Sequence, residues 1–257
     1  MDKKMIFNHY VNIIDDLIEE YDFFKYYFQC PFTLDEDISY RNEDDHKSPI
    51  FLNHLDIKFG ATRGCFIDNQ SDWVVKFDNP EEANYGSCEN EMDIYYKAFA
   101  CGLEKYFAQP IYLGDYVKEI TFYEAYEIEY NMDRYYIYDE MGFYEALEKV
   151  VDKYEMEKKE LVIRFPLYAY PRAKRYEFFK KEEEQNISLV DFVSKSNSPL
   201  IERGNDIGYA FAERYGEEEF LELSDFLEKE NINDLHCGNI MERNGEFILT
   251  DYAGYND

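Results

Sequence analysis

Positive charge is scarce in this sequence. The 257 residues include 27 Lys and Arg against 56 Asp and Glu, which gives a formal net charge of −29 at pH 7. Because such a surface repels a phosphate backbone, the composition disfavours DNA or RNA as a partner, and it disfavours anionic membrane surfaces for the same reason. A solvated acidic surface is the simplest explanation of the charge, and the alternatives are a basic protein partner or an acidic decoy of nucleic acid.

Long apolar runs are also missing. No window of about 18 apolar residues occurs, so we expect no transmembrane span. The first five residues, Met-Asp-Lys-Lys-Met, lack the apolar core and the cleavage site of a secretory signal. We therefore expect a cytoplasmic protein, or one that is injected into a host cell if it is an effector.

Cysteine pairs with metal-ligand spacing are absent as well. The five cysteines, at positions 30, 65, 88, 101 and 237, are an odd number with irregular spacing. There is no Cys-x-x-Cys pair and no Cys/His cluster, which disfavours a zinc site. Reduced thiols in a cytoplasmic compartment fit this usage best.

Apolar and aromatic residues are plentiful, at 46% and 19% of the chain. This content and length suffice for the core of one large domain or of a domain with two lobes. Residues 3–28 have the spacing of an amphipathic helix, and residues 31–50 are acidic, without an apolar period.

The stretch from 54 to 129 has the pattern of strands. Period-two alternation and polar turns predict three antiparallel strands, at 55–59, 65–67 and 73–77. A helix is predicted over 89–103, and two further strands follow at 111–117 and 120–128. This region is therefore predicted to be a five-stranded sheet with one helix after its third strand.

The rest of the chain is predicted to be mainly helical. Pieces with helical period lie at 143–154, 188–194, 200–215 and 217–230, while Pro166 and Pro171 interrupt the middle of the region. A short hairpin closes the chain, with strands at 239–241 and 247–249. They are joined at Asn244-Gly245, a dipeptide favoured where two consecutive residues take positive φ.

Three polar residues around this hairpin have suggestive spacing. Asp234 and Asn239 lie five positions apart in Asp234-Leu-His-Cys-Gly-Asn239, and Asp251 follows twelve residues later at the end of an apolar run. Phosphoryl transfer uses such a set: one carboxylate orients the attacking hydroxyl, while an amide and a second carboxylate hold Mg²⁺. Pairing of the two short strands would bring the three side chains together.

With these motifs the chain resembles the protein-kinase-like superfamily, which includes protein kinases and aminoglycoside phosphotransferases. Asp234-Leu-His-Cys-Gly-Asn239 is similar to the catalytic loop of small-molecule kinases, and Asp251-Tyr-Ala-Gly254 resembles the Asp-Phe-Gly element. The resemblance implies an α+β fold with two lobes. Its parts would be an N-terminal helix and acidic loop (1–50), a five-stranded antiparallel N-lobe with one helix (51–129) and a mainly helical C-lobe (130–257).

The resemblance also implies a role for each matching residue. Asp234 would be the catalytic base, while Asn239 and Asp251 would bind Mg²⁺. Lys76, in the third strand, would contact the α- and β-phosphates of ATP. Glu91, on the following helix, would pair with Lys76 and hold its ammonium group in place.

Other expected positions follow from the same resemblance. Glu89 is the competing partner of Lys76, because helix phase cannot be fixed from the sequence. Gly60 and Gly64 lie between the first two strands, where the phosphate-covering loop belongs. The adenine edge of ATP would meet the backbone after the fifth strand, at Glu127, Ile128 and Glu129.

Some features depart from the family pattern. Asn233 stands where many regulated protein kinases have Arg, and Tyr252-Ala253 replaces Phe-Gly. The sequence ends at Asp257, so we expect no substrate-binding segment, a layout that would resemble the minimal kinases of bacterial effectors and phage-associated proteins. We expect an ATP- and Mg²⁺-dependent phosphotransferase that acts on a protein or small-molecule hydroxyl. The alternative is a nucleotide-binding pseudokinase or an acidic interaction module for a basic protein.

Overall fold

The computed structural model describes residues 2–20, 55–59, 63–78, 87–122, 159–178 and 185–253. These residues form an α+β protein with five α-helices and two sheets. The helices are α1 (Lys3–Glu20), α2 (Cys88–Cys101), α3 (Ile187–Lys195), α4 (Asn205–Tyr215) and α5 (Glu217–Lys229). The strands are β1 (Leu55–Phe59), β2 (Arg63–Asp68), β3 (Trp73–Asp78), β4 (Ile111–Phe122), β5 (Lys159–Pro171), β6 (Lys174–Arg175), β7 (Ile240–Arg243) and β8 (Glu246–Leu249). None of the helices in these ranges is long and apolar enough to cross a membrane.

The larger sheet has the strand order β1-β2-β3-β5-β4, and β1 pairs with β2 in antiparallel orientation. A row of aromatic rings crosses the sheet in the same order. The ring of Phe66 on β2 lies 5.0 Å from that of Phe77 on β3, and Phe77 lies 5.3 Å from Phe165 on β5. Phe165 in turn lies 5.1 Å from Tyr116 on β4. Such tilted contacts join the strands through buried apolar area.

Helix α1 packs with its apolar stripe against this row. Its buried residues, Tyr10, Ile13, Ile14 and Ile18, follow the helical period. The Tyr10 ring lies 6.1 Å from that of Phe66. The carboxylate of Asp15 accepts hydrogen bonds from the Tyr116 hydroxyl at 2.8 Å and from the Lys118 ammonium at 2.9 Å.

The chain divides by its contacts into two compact units that interleave along the sequence. One comprises Met1–Asn69, Phe77–Glu82 and Tyr112–Leu167. The other comprises Gln70–Lys76, Ala83–Ile111 and Tyr168–Asp257. Strands β3, β4 and β5 each contribute residues to both units, whereas Lys76, Glu91 and the segment Asp234–Asp251 all belong to the second.

The second unit contains α2 to α5 and a small sheet with the order β6-β7-β8. Its β7–β8 hairpin confirms the prediction, because Arg243 pairs with Glu246 across a two-residue turn. Asn244 and Gly245 occupy that turn with φ of 55° and 86°, the positive values that this hairpin type requires. The core of the second unit is apolar and largely aromatic, with Phe211, Phe226 and Phe247 nearly fully buried.

Two predictions about the larger sheet are wrong. Residues 111–122 form the single strand β4, where two strands were predicted at 111–117 and 120–128. Strand β5 lies at 159–171, within the region predicted to be mainly helical. The pattern there alternates, since Ile163 and Phe165 are buried while Arg164 is exposed, and Pro166, which was expected to interrupt this region, lies inside the strand.

The remaining element predictions are confirmed where the structure describes them. Strands β1, β2 and β3 and helix α2 lie where they were expected, and α3 to α5 match the three helical pieces after residue 185. The predicted helix at 3–28 is described as far as Glu20. The predicted loop at 31–50 and helix at 143–154 lie outside the described residues.

Candidate active site

Helix α2 fixes the position of Glu91. Ser87 caps the helix by accepting a hydrogen bond from the Asn90 N–H at 3.1 Å, and Gly102 ends it with φ of 76°. With the helix starting at Cys88, the residues buried along one face are Cys88, Glu91, Ile94 and Ala98. Glu91 is 0% exposed, whereas Glu89 on the same first turn is exposed.

Lys76 and Glu91 form a buried ion pair. The Lys76 Nζ lies 3.2 Å from Glu91 Oε1 and 3.4 Å from Oε2, and its side chain is only 12% exposed. Glu91 is thus the partner of Lys76, and Glu89 is not. A carboxylate buried this deeply is tolerated because it is paired and accepts further hydrogen bonds.

The segment after β8 also meets Lys76. The Lys76 ammonium donates a hydrogen bond to the Thr250 carbonyl, and Asp251 Oδ1 lies 3.9 Å from its Nζ. The backbone N–H of Tyr252 donates to Glu91 Oε1 at 3.3 Å. Lys76 and Glu91 therefore hold the backbone on both sides of Asp251, whose side chain remains 44% exposed.

Tyr170, near the end of β5, completes the surroundings of the ammonium. Its ring centroid lies 4.6 Å from Lys76 Nζ, within the range of a cation–π contact. The Tyr170 hydroxyl is buried near the Glu91 carboxylate, but it makes no hydrogen bond of normal geometry with any described residue. Burial first, and then the nearby Cys88 and Glu91, raise the pKa of Tyr170 well above its usual value.

The loop from Asp234 to Asn239 is closed by its own hydrogen bonds. The Asn239 side chain donates from Nδ2 to the Asp234 carbonyl at 2.9 Å, and its backbone N–H donates to the His236 carbonyl at 2.9 Å. His236 Nδ1 accepts from the Gly238 N–H at 3.0 Å, so this imidazole stabilises the turn. Asn239 is 8% exposed.

The Asp234 carboxylate meets a partner that sequence reasoning did not predict. Arg203 Nη2 donates to Asp234 Oδ1 at 2.8 Å. The Arg203 side chain is 58% exposed and that of Asp234 is 29% exposed. These residues lie 31 positions apart and share no motif, so no signal in the sequence connects them.

Thr250 joins the loop to the Lys76 cluster. Its N–H donates to the Asn239 carbonyl at 2.8 Å, and its hydroxyl donates to the same carbonyl at 3.1 Å. Its own carbonyl accepts from Lys76. Two residues later, Tyr252 is buried, and its hydroxyl donates a hydrogen bond to the Ala108 carbonyl at 2.8 Å.

The predicted metal ligands offer oxygen atoms, which Mg²⁺ prefers. Because the Asn239 amide nitrogen is committed to the Asp234 carbonyl, the amide oxygen is the atom left for a ligand. Asp251 adds an exposed carboxylate. Within the described ranges, no three His, Cys, Asp or Glu side chains cluster as a metal site, so the donor set is the amide and the carboxylate.

The expected phosphate-loop glycines are only partly described. Gly64 lies in β2 opposite Phe59, and a Cβ at this position would collide with the Phe77 ring. Close packing is thus sufficient reason for glycine at 64, and its role toward phosphate stays a prediction. Gly60 lies outside the described residues.

The expected adenine-binding residues Glu127, Ile128 and Glu129 also lie outside the described residues. Among the strands in the described ranges, the fifth along the chain is β5, which ends at Pro171. A cleft of about 690 Å³ follows it, lined by residues of the β2–β3 turn, the β5–β6 connection and the β7–β8 turn. Trp73 and Arg172 are among its lining residues.

Comparisons with known proteins found no matching family model, no matching curated protein and no matching solved structure.

Proposed function

We propose that the chain is an ATP- and Mg²⁺-dependent phosphotransferase with a protein-kinase-like two-lobe fold. The observation that carries this proposal is the buried Lys76–Glu91 pair, held against the backbone at Thr250 and Asp251. Its parts come from β3, α2 and the end of the β7–β8 hairpin, in the chain order that the resemblance implies. A buried cation fixed in this way is suited to binding phosphate oxygens.

Lys76 would contact the phosphates of ATP. An ammonium group has three donors, and Glu91 and the Thr250 carbonyl use two of them. The third is left for a phosphate oxygen. Glu91 and the Tyr170 ring would keep the ammonium in place, so that little reorganisation is needed when the nucleotide binds.

Asp234 would orient the hydroxyl of the acceptor and take its proton. The acceptor oxygen would form a bond to the γ-phosphorus as the bond between that phosphorus and the β–γ bridging oxygen breaks, which releases ADP. One carboxylate oxygen of Asp234 is held by Arg203. The other could receive the hydroxyl, since Asp234 is partly exposed.

Asn239 and Asp251 would hold Mg²⁺ through the amide oxygen and the carboxylate. When bound, Mg²⁺ neutralises the phosphate charge that a chain of net charge −29 would otherwise repel. The single positive charge of Lys76 faces two carboxylates, those of Glu91 and Asp251. This excess of negative charge favours binding of a divalent cation.

The adenine edge is now proposed to meet the backbone after β5, at Arg172–Lys174. The resemblance puts it after the fifth strand, and the described fifth strand is 159–171. The Arg172 N–H donates to the Asp72 carbonyl at 2.8 Å, which anchors this segment next to β3.

Phosphoryl transfer from γ-labelled ATP tests the proposal. With Mg²⁺, we expect labelled product from the wild-type chain with cell-extract components or by autophosphorylation. Asp234→Asn should lower the rate by at least about 100-fold, the usual contribution of a general base. No transfer by the wild type, or equal transfer by Asp234→Asn, would refute the proposal.

A nucleotide-binding pseudokinase is the second candidate. The Arg203–Asp234 ion pair favours it, because it engages the proposed base. In that case Mg-ATP would raise the melting temperature, since a bound ligand stabilises the folded state, but no label would be transferred.

A further inference from the structure

Arg203 places a cation beside the proposed base. It lies two residues before the first residue of α4 and donates to Asp234 Oδ1 through a single nitrogen, Nη2, at 2.8 Å. The pair is exposed to solvent on the Arg203 side, with 58% of that side chain accessible.

The guanidinium retains donors for a ligand. It carries five N–H groups in a planar fork that matches carboxylate and phosphate oxygens. Asp234 takes one of them, and no other described residue accepts a hydrogen bond from Arg203. Since the side chain is mostly exposed, the remaining N–H groups can reach an anion from solvent.

Geometry links such an anion to the reacting hydroxyl. The two oxygens of Asp234 share one carbon, so a hydroxyl bound at Oδ2 lies close to the guanidinium that holds Oδ1. A phosphate or carboxylate on a carbon next to that hydroxyl would reach the free N–H groups of Arg203. In a chain of net charge −29, a fixed cation at this point offsets the repulsion of an anionic acceptor.

The start of α4 also borders space for a small molecule. Asn205 and Asp206, two and three residues after Arg203, line an open cleft of about 510 Å³ together with Tyr209 and α3 side chains. This volume lies within the usual range for small-molecule sites.

We propose that Arg203 selects small alcohols that carry a phosphate or carboxylate beside the hydroxyl to be phosphorylated. This inference rests on the proposed phosphotransferase function. Arg203 would then be the specificity residue that binds the acceptor directly.

Two acceptor pairs test it: glycerol with glycerol 3-phosphate, and ethylene glycol with glycolate. Binding is measured by calorimetric titration of the full chain, and inorganic phosphate is titrated as a further probe. We expect saturable binding of both anionic alcohols, weaker binding of inorganic phosphate and none of the neutral alcohols. Arg203→Gln should weaken anion binding about 10-fold, as for the loss of a charged hydrogen bond.

Lys195→Gln is the control, because Lys195 forms an exposed ion pair with Asp191 at 2.5 Å on α3. It should leave anion binding unchanged. Equal binding by wild type and Arg203→Gln, no anion binding at all, or inorganic phosphate binding as tightly as the alcohols would overturn the inference.

The same acceptors in the transfer assay separate the two proposals. If the wild type transfers phosphate to neutral and anionic alcohols at equal rates, acceptor selection is refuted while the phosphotransferase stands. The same holds if Arg203→Gln raises the transfer rates to neutral and anionic alcohols by the same factor. Arg203-dependent binding of the anionic alcohols without transfer to any acceptor would support the anion site, and it would refute the phosphotransferase.

Discussion

Thr250 donates two hydrogen bonds to the carbonyl of Asn239, one from its backbone N–H at 2.8 Å and one from its hydroxyl at 3.1 Å. Because the Thr250 carbonyl also accepts from Lys76, this contact connects the proposed catalytic loop to the buried ion pair. The proposed phosphate-binding and metal-binding groups are thus parts of one hydrogen-bonded network.

Thr250→Val should loosen this network without changing the shape of the side chain. It removes the hydroxyl bond to Asn239 but keeps the backbone bond, so we expect a loss of about 1 kcal/mol in the free energy of unfolding. Urea denaturation measures it, with Ser194→Ala as control, since that hydroxyl makes an exposed bond. Equal losses in the free energy of unfolding for Thr250→Val and Ser194→Ala would contradict a structural role for the Thr250 hydroxyl.

Glu91→Gln should be strongly destabilising, because it removes the buried counter-charge of Lys76 and leaves only the half-exposed Asp251 carboxylate at 3.9 Å. We expect a loss of about 3 kcal/mol in the free energy of unfolding. Glu89→Gln changes the charge by the same amount on the exposed side of α2 and should stay within about 0.5 kcal/mol of wild type. If both variants lose similar stability, the ion pair is not the important contact.

Tyr170→Phe should stabilise the protein at neutral pH, by about 1 kcal/mol, because it removes a buried hydroxyl that makes no hydrogen bond of normal geometry with a described residue. Tyr170→Leu should instead weaken the hold on Lys76, since it also removes the ring. Urea unfolding of both variants separates the two effects. A destabilised Tyr170→Phe would show that the hydroxyl has a bonding role.

The raised pKa of Tyr170 adds a pH dependence. Above pH 10 an unfolded tyrosine ionises while the buried Tyr170 stays protonated, so the folded state holds more protons and stability falls with rising pH. We expect Tyr170→Phe to lessen this fall by up to about 1.4 kcal/mol per pH unit. Stability curves measured from pH 9 to 11 on wild type and variant check this, and identical slopes would refute it.

Gly64→Ala should cost about 1–3 kcal/mol, because the new Cβ would overlap the Phe77 ring in a well-packed core. The same substitution in a Phe77→Leu background should cost less, since the ring is gone. A double-mutant cycle on urea unfolding measures the coupling. If the losses of the two single variants add up to that of the double variant, the Phe77 ring is not the reason why glycine is required at position 64.

Local sequence chemistry predicted much of this fold. Asn244-Gly245 specified the β7–β8 turn because few other residues accept two consecutive positive φ values, and the alternation of Leu55–Phe59 specified β1. The pairing of Lys76 with a glutamate of α2 was also predictable. Glu91 and Glu89 are distinguished only by which face of the helix is buried, and packing sets that face.

Non-local contacts were beyond such reasoning. Strand β5 was not predicted, because Pro166 and Pro171 were expected to interrupt the region, although the alternation of Ile163 and Phe165 was a usable signal. Arg203 and Thr250 carry no motif, and they become neighbours of Asp234 and Lys76 only through tertiary folding.

Calorimetric titration with Mg-ATP tests the central claim most directly, namely that the Lys76, Asn239 and Asp251 cluster is a nucleotide site. The wild type and Glu89→Gln should bind with equal affinity, and chelation of the metal should abolish binding. Asp251→Asn should weaken binding at least about 10-fold, because it removes a charged metal ligand. Absence of binding by the wild type, or undiminished binding by Asp251→Asn, would contradict the account.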